Sequence, residues 1–155
     1  MTPMAAIPPS TRPLTILQVE DTPADVVLTA HALKVGDVPY SIHVVGDGKQ
    51  ALLFLQRGER YAEAPRPDLI LLDLSLPFIN GQKVLQFIKN HPSLKAIPVV
   101  VFTTLATDVS KQMAYDHHAN SYMVKPTDFG QFKSMIQSIA AYWTLVSTLP
   151  SSRAV

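Results

Sequence analysis

The sequence predicts an α/β protein built on a doubly wound parallel sheet of five strands. Short apolar runs alternate along the chain with longer segments of helical periodicity, and the connections between them are short. The runs 69–72 and 97–102 carry no charged side chain, as expected of parallel strands that helices cover on both faces. Strands and helices that alternate in this way indicate a single sheet with right-handed crossovers.

Each predicted strand is a short run rich in apolar residues, bounded by polar, glycine or proline residues. The predicted strands are 14–19, 41–45, 69–72, 97–102 and 121–124.

The predicted helices have sequence signals at their ends. Thr22, Asp47 and Thr107 are of types that accept hydrogen bonds from the first turn of a helix, and Pro23 suits a first helical position. Gly36 and Gly58 suit the turn after a helix. The predicted helices are 23–34, 48–56, one that follows Gly81 and ends near 91–92, 108–118 and 128–146.

The length of 155 residues indicates one domain. We expect residues 1–13 to form a flexible, proline-rich leader, residues 14–148 the folded domain and residues 149–155 a short tail. The chain has no cysteine, which excludes disulfides and thiolate chemistry. A net charge of +1 predicts no nucleic-acid partner, and the absence of a long apolar run predicts no membrane span. With no signal-peptide pattern, a cytoplasmic location is the default expectation.

Five polar residues lie at the ends of four predicted strands. Glu20 and Asp21 follow the first strand, Asp73 the third, Thr103 the fourth and Lys125 the fifth. The carboxyl ends of parallel strands meet at one edge of the sheet, so these side chains can converge on one pocket. Three carboxylates, a hydroxyl and an ammonium describe a divalent-metal site that handles a phosphoryl group.

The acidic residues have both structural and chemical interpretations. Asp73 either caps or pairs with Lys125, or is a nucleophile that forms an aspartyl phosphate. Glu20 and Asp21 complement the start of a helix, and they can at the same time meet Asp73; in that case at least one pKa rises and Mg²⁺ would relieve the repulsion. The carbonyl of Ser75 is a plausible further ligand.

The other residues at the strand ends are open to the same two interpretations. Thr103 either ends a strand for which its propensity is good or bonds a phosphoryl oxygen, with Thr104 as a second candidate. Lys125 either is an exposed lysine or supplies a positive charge to the site. The bond from Lys125 to Pro126 could be cis, because proline lowers the cis penalty.

In this order and spacing, the residues resemble the receiver domain of bacterial two-component response regulators, a flavodoxin-like fold, over about residues 14–146. The resemblance implies that Asp21 and Asp73 ligate Mg²⁺ with the Ser75 carbonyl, while Glu20 acts mostly through water. It also implies that Thr103 and Lys125 contact the phosphoryl group. Tyr122 falls on the aromatic switch position of the family, and we expect its ring to move when Thr103 moves toward the phosphate.

A narrower resemblance links the chain to stand-alone regulators paired with bacterial phytochromes. The segments 20–25, 91–98 and 119–122, together with Tyr142 and Trp143, carry it. It implies a sensor histidine kinase as phosphodonor, such as a bacteriophytochrome, and a homodimer through the surface of the fourth helix, fifth strand and fifth helix.

The fifth helix gives its own reason to expect an interface. One apolar stripe at helical spacing should face the core, and Met135, Tyr142 and Val146 extend apolar surface beyond it. The alternative is a well-covered core helix. The stripe consists of Phe129, Phe132, Ile136, Ile139 and Trp143.

The resemblance implies a signalling phosphoacceptor that catalyses only its own phosphorylation and dephosphorylation. One alternative is a Mg²⁺-dependent hydrolase with an aspartyl nucleophile, but such enzymes typically carry a second aspartate where this chain has Ser75. The other is a phosphorylation-independent interaction module, which the complete set of site residues argues against.

Overall fold

The computed structural model describes residues 12–146, which form one parallel sheet flanked by helices. The strands are β1 Leu14–Val19, β2 Tyr40–Val45, β3 Leu69–Leu72, β4 Val99–Thr103 and β5 Ser121–Val124. The helices are α1 Pro23–Lys34, α2 Gly48–Gln56, α3 Gly81–Asn90, α4 Asp108–Asp116 and α5 Phe129–Ala141. A short 3₁₀ helix, Glu59–Tyr61, follows α2, and a π-helical turn, Tyr142–Val146, follows α5.

The strand order is β2-β1-β3-β4-β5, and all four pairings are parallel. The chain goes from β1 outward to β2 and then crosses back to β3 on the other side of β1. The point between β1 and β3 is therefore the topological switch point of the sheet, where ligands of this fold class bind beyond the carboxyl ends of the strands. The predicted fold class is confirmed.

Alternate residues of the central strands face two separate cores. Ile70 and Leu72 of β3 pack in the core under α2, α3 and α4, whereas Leu69 and Leu71 pack in the core under α1 and α5. Because both faces of β3 are covered, all four of its residues are buried, and the strand is uniformly apolar.

Most helix starts agree with the sequence signals. The side chains of Asp47 and Thr107 each accept a hydrogen bond from a backbone N–H of the first turn. Asp128, predicted as the first residue of the fifth helix, is instead its N-cap and accepts such a bond too. Thr22 occupies the N-cap position of α1, but its side chain makes no capping bond. Its backbone N–H instead donates to Oε2 of Glu20 at 3.3 Å.

Two predicted helix ends are wrong, whereas α1 and α2 end at the predicted residues. After α2, Arg57 takes the left-handed conformation with φ of 58°, and the Gly58 N–H donates to the Leu53 carbonyl at 2.9 Å. The helix α4 ends at Asp116, two residues earlier than predicted. The α-helical part of α5 ends at Ala141 and continues as the π-helical turn. The Lys125–Pro126 peptide bond is trans.

The helix α5 buries only part of its predicted stripe. Phe132, Ile136 and Ile139 are buried as expected, whereas Phe129 is half exposed and lies against the ring of His31 on α1. Trp143 is partly buried and packs against the core under α1 and α5.

Candidate functional site

The predicted polar residues meet at the carboxyl edge of the sheet. Glu20 follows β1, Asp73 follows β3, Thr103 is the last residue of β4 and Lys125 follows β5. The backbone N–H of Asp73 donates to the carbonyl of Val19 at 3.1 Å, which extends the β1–β3 pairing to the site. The neighbouring strands therefore hold the backbone of the site in register.

Hydrogen bonds hold both oxygens of the Asp73 carboxylate. Oδ1 accepts from Thr103 Oγ1 at 2.8 Å and from the Ser75 backbone N–H at 3.0 Å, while Oδ2 accepts from Lys125 Nζ at 2.9 Å. Burial acts to raise the pKa of Asp73, but the bonds from Lys125 and Ser75 outweigh it and hold the pKa below its ordinary value. Asp73 is thus a buried but ionised carboxylate, the state a nucleophile needs.

Lys125 is a buried lysine surrounded by carboxylates. Nζ donates to Glu20 Oε1 at 2.7 Å, to Asp25 Oδ2 at 2.7 Å and to Asp73 Oδ2 at 2.9 Å. An ammonium has three donors, and all of them are used. Burial acts to lower the pKa of Lys125, but the three carboxylates outweigh it and raise the pKa, so the side chain is a fixed positive charge at neutral pH.

Glu20, Asp21 and Asp73 form an acidic cluster in which one carboxylate oxygen from each lies within 4.8 Å of the others. Glu20 is buried and Asp21 is exposed. Burial, together with the charge of Asp73, raises the pKa of Glu20 to about 7, although Lys125 opposes the rise. Crowded carboxylates with one raised pKa are the donor set that a hard divalent cation stabilises, so the residues fit such an ion.

The loop after Asp73 approaches the start of α3 closely. A Cβ on Gly81 would lie 2.5 Å from the carbonyl oxygen of Asp73 and 2.5 Å from Cα of Leu74, so only glycine fits at that position. Ser75 is exposed, and its N–H bonds the Asp73 carboxylate. The ligand role of the Ser75 carbonyl stays a prediction.

A chain of contacts joins Asp73 to Tyr122. Thr103 is fully buried and is already bonded to Asp73, and its Oγ1 also accepts from the Leu105 N–H at 3.3 Å. The Leu105 carbonyl in turn accepts from the Tyr122 hydroxyl at 2.7 Å, and Ser110 Oγ lies 3.0 Å from that hydroxyl. Tyr122 is partly buried and packs against the core under α2, α3 and α4.

Asp25 is the site residue that the sequence reasoning missed. An acidic residue in the first turn of a helix is common, yet the Asp25 side chain bonds Lys125, one hundred residues away in sequence. The available signal was its position, one turn into the helix that begins directly after Glu20 and Asp21.

The predicted interface residues are only partly exposed. Tyr142 is 49% exposed, whereas Met135 is partly buried and packs against the core under α1 and α5. The side chain of Val146 lies outside the described residues, as do residues 1–11 of the predicted leader and the predicted tail, 149–155.

The response regulator receiver domain matches residues 16–137, and the chain belongs to this family. It is a receiver-domain response regulator, a class of signalling protein. The fold, the acidic cluster and the bonded aspartate and lysine agree with that membership.

The chain is similar to known regulators over almost all of their length. It is 40% identical over 143 residues to "Response regulator Rcp1" of Synechocystis sp., which covers 92% of this chain and 97% of that protein. The structure described as the phosphorylated cyanobacterial phytochrome response regulator RcpA matches with a TM-score of 0.87 and 41% identity, over 90% of this chain and 100% of that one. The Mn²⁺-bound form of Rcp1 matches with a TM-score of 0.85 and 40% identity, over the same shares of the two chains.

Within residues 12–146, the structure contains no helix that is both long and apolar enough to cross a membrane.

Proposed function

We propose that Asp73 accepts a phosphoryl group from a phosphohistidine of a sensor kinase. The observation that carries this proposal is the Asp73 carboxylate, ionised although buried, with Lys125 and Thr103 bonded to its two oxygens. In the transfer, one Asp73 oxygen forms a bond to phosphorus while the phosphorus–nitrogen bond of the donor breaks, and the imidazole leaves with the electron pair.

The neighbouring side chains stabilise the charge of the transferred group. Lys125 offers a positive charge to its oxygens, and the Thr103 hydroxyl offers a hydrogen-bond donor. Because both are already bonded to Asp73, little reorganisation is needed when the phosphoryl group arrives.

The acidic cluster is proposed to hold Mg²⁺. Asp21, Asp73 and the Ser75 carbonyl would be direct ligands, and Glu20 would act mostly through water. When bound, the ion neutralises negative charge on the cluster and on the phosphoryl oxygens. The three carboxylate oxygens within 4.8 Å of one another support this assignment, as does the Mn²⁺-bound form of the relative Rcp1. Competition calorimetry between Mg²⁺ and Mn²⁺ tests which ion binds.

Intact mass spectrometry tests the phosphoacceptor directly. The protein is incubated with a small phosphodonor, with and without Mg²⁺, as wild type and as Asp73→Asn. We expect one Mg²⁺-dependent phosphoryl adduct that Asp73→Asn lacks and that the control variant Asp108→Asn, altered at an exposed aspartate of α4, retains. No adduct on wild type, under conditions that label a known receiver, would favour a phosphorylation-independent interaction module. Multiple turnover of the donor would favour a hydrolase.

The proposed phosphodonor is a sensor histidine kinase of the bacteriophytochrome type. The similarity to the phytochrome response regulator RcpA over 90% of this chain supports this choice. Phosphotransfer from a reconstituted bacteriophytochrome kinase, in red and in far-red light, is the test. Equal transfer from an unrelated histidine kinase would contradict the specificity. With such a donor, and with a net charge of +1, the protein would act in the cytoplasm without binding nucleic acid or membranes.

The proposed output runs through Thr103 and Tyr122. A phosphoryl group on Asp73 would change the hydrogen bonding of Thr103, and the Leu105 backbone connects Thr103 to the Tyr122 hydroxyl. A change in the position of the Tyr122 ring would then alter the surface formed by α4, β5 and α5. Identical NMR signals of the Tyr122 ring with and without a phosphoryl mimic would refute this coupling.

The same surface is the proposed homodimer interface. Its exposed apolar side chains are Val109, Met113, Tyr115, Val124, Phe129 and Tyr142. Met135 and Val146 belong to the predicted interface on sequence grounds. Analytical ultracentrifugation at tens of micromolar should show a dimer that Tyr142→Glu weakens and that Val27→Glu, at an exposed apolar position on α1, leaves intact. A monomer with and without phosphorylation would refute the interface.

A further inference from the structure

Asp25 bonds the site lysine but has no role in the function proposed above. Its Oδ2 lies 2.7 Å from Lys125 Nζ, as close as any other carboxylate in the site. We propose that Asp25 is a positioning residue, which holds the Lys125 ammonium on the reacting carboxylate throughout phosphoryl transfer. This inference rests on the proposed phosphoacceptor function of Asp73.

The three acceptors of Lys125 differ in what the reaction does to them. Asp73 loses its negative charge where it forms the bond to phosphorus, and Glu20 belongs to the acidic cluster that a cation would engage. Asp25 lies outside the cluster of acidic residues within 4.8 Å of one another, and it is not the nucleophile. Its charge is therefore the one that stays constant beside Lys125 from start to finish.

A second polar contact fixes the helix that carries Asp25. Thr29 lies four residues further along α1, on the same helix face, and is fully buried. Its hydroxyl accepts from Gln18 Nε2 at 3.0 Å. Gln18 lies on β1, and Glu20, which directly follows β1, bonds Lys125 as Asp25 does. Hence β1 and α1 are joined twice, in the core through Gln18 and Thr29 and at the site through Lys125.

Loss of the Asp25 carboxylate should differ in its effect from loss of the other carboxylates of the site, because Asp25 is neither the nucleophile nor a proposed metal ligand. Without its carboxylate, Lys125 keeps only acceptors whose charges change during transfer, so its orientation becomes less defined. We expect Asp25→Asn to slow phosphorylation roughly tenfold at saturating donor, a loss typical of groups that orient a functional side chain. Metal affinity should change by no more than about twofold, since Asp25 is not a proposed ligand. Removal of a negative charge would by itself help an anionic donor, so a slower rate has the opposite sign to a simple charge effect.

The experiment measures two quantities on full-length protein. The first is the rate of adduct formation with acetyl phosphate at saturating donor and Mg²⁺, followed by intact mass. The second is the Mg²⁺ dissociation constant by calorimetry. The variants are Asp25→Asn, Asp25→Glu and Asp108→Asn, the last as a matched control in which an exposed aspartate at the start of α4 is neutralised. Asp25→Glu restores the charge and should recover part of the rate.

An Asp25→Asn rate equal to or faster than wild type at saturating donor would overturn the inference. So would a fall in Mg²⁺ affinity as large as the fall in rate, because Asp25 would then act through the metal. If Asp25→Asn does not fold, Asp25→Ser is measured in its place and judged by the same criteria, because serine suits the start of a helix. If wild type itself forms no adduct at Asp73, the proposed function fails. If wild type is labelled and Asp25→Asn matches it, only the role of Asp25 fails.

Discussion

Glu20→Gln should stabilise the protein in the absence of a divalent cation. Glu20 is 4% exposed, and burial together with the nearby charge of Asp73 raises its pKa to about 7. Its ionised form is therefore less favourable in the folded protein than in the unfolded chain. Glutamine has the same shape without the charge, and its side-chain oxygen can still accept from Lys125.

The size of the effect follows from the shift in pKa. A rise from 4.5 to about 7 corresponds to roughly 3 kcal/mol of free energy of unfolding lost when Glu20 ionises. Because the folded state holds the proton more tightly, this stability is fully present below pH 4.5 and is lost as the pH rises to about 7. We expect Glu20→Gln to raise the free energy of unfolding by about 1 to 3 kcal/mol at pH 8, and by almost nothing at pH 4.5.

Urea denaturation in EDTA, from pH 4.5 to pH 8.5, measures the effect. Glu63→Gln, at an exposed glutamate far from the acidic cluster in sequence, is the control and should follow wild type. Added Mg²⁺ should stabilise wild type more than Glu20→Gln, because a cation that binds the folded state relieves the same repulsion. A Glu20→Gln variant that is less stable than wild type at pH 8, or a difference that does not change with pH, would refute the reasoning.

Three further predictions concern other positions. Gly81→Ala should lower the free energy of unfolding by roughly 2 kcal/mol, because its Cβ would lie 2.5 Å from the carbonyl oxygen of Asp73. The control Gly46→Ala, whose Cβ would have nothing within 4 Å, should not lower it, and comparable losses for the two variants in urea denaturation would contradict the prediction. Burial lowers the pKa of Lys89 from 10.5 to about 8, so the free energy of unfolding should rise as the pH goes from 8 to 10.5. Lys89→Gln should lack that rise, and parallel pH profiles of stability for wild type and variant would contradict the prediction. Tyr122→Phe, which loses the bond to the Leu105 carbonyl, should lower the midpoint of urea unfolding by an amount equivalent to about 1 kcal/mol, and an unchanged midpoint would mean that this bond contributes nothing.

Strands could be predicted from the sequence better than helix ends, for a physical reason. β1 and β3 begin and end at the predicted residues, because a buried run that stops at a polar residue leaves little freedom in where the strand ends. β5 also matches its predicted bounds, although its residues are partly buried or exposed. The end of α5 was wrong because its apolar periodicity continues while the backbone changes from α-helical to π-helical bonding at Tyr142. The end of α2 at Gln56 was predicted, and Arg57 rather than a glycine adopts the left-handed conformation that follows it.

The candidate site was predictable to the extent that it depends on the ends of strands. Glu20, Asp73 and Lys125 could be brought together from the sequence because parallel strands share one carboxyl edge. Asp25 could not, because it lies on a helix, and the direction in which that side chain points depends on how α1 packs across β1. The buried contact between Gln18 and Thr29 is part of that packing, and no local pattern in the sequence reveals it.

The site is electrostatically strained, and the fold prevents the strain from relaxing. Burial and the charge of Asp73 raise the pKa of Glu20, and the two carboxylates cannot simply move apart, because the β1–β3 pairing continues to the backbone of Asp73. A nearby positive charge then relieves the repulsion. Lys125 supplies one such charge permanently, and a divalent cation or a proton can supply a second. The apolar sheet therefore does more than carry the acidic residues, because it holds them in an arrangement that fits a cation and keeps Asp73 ionised beside Lys125.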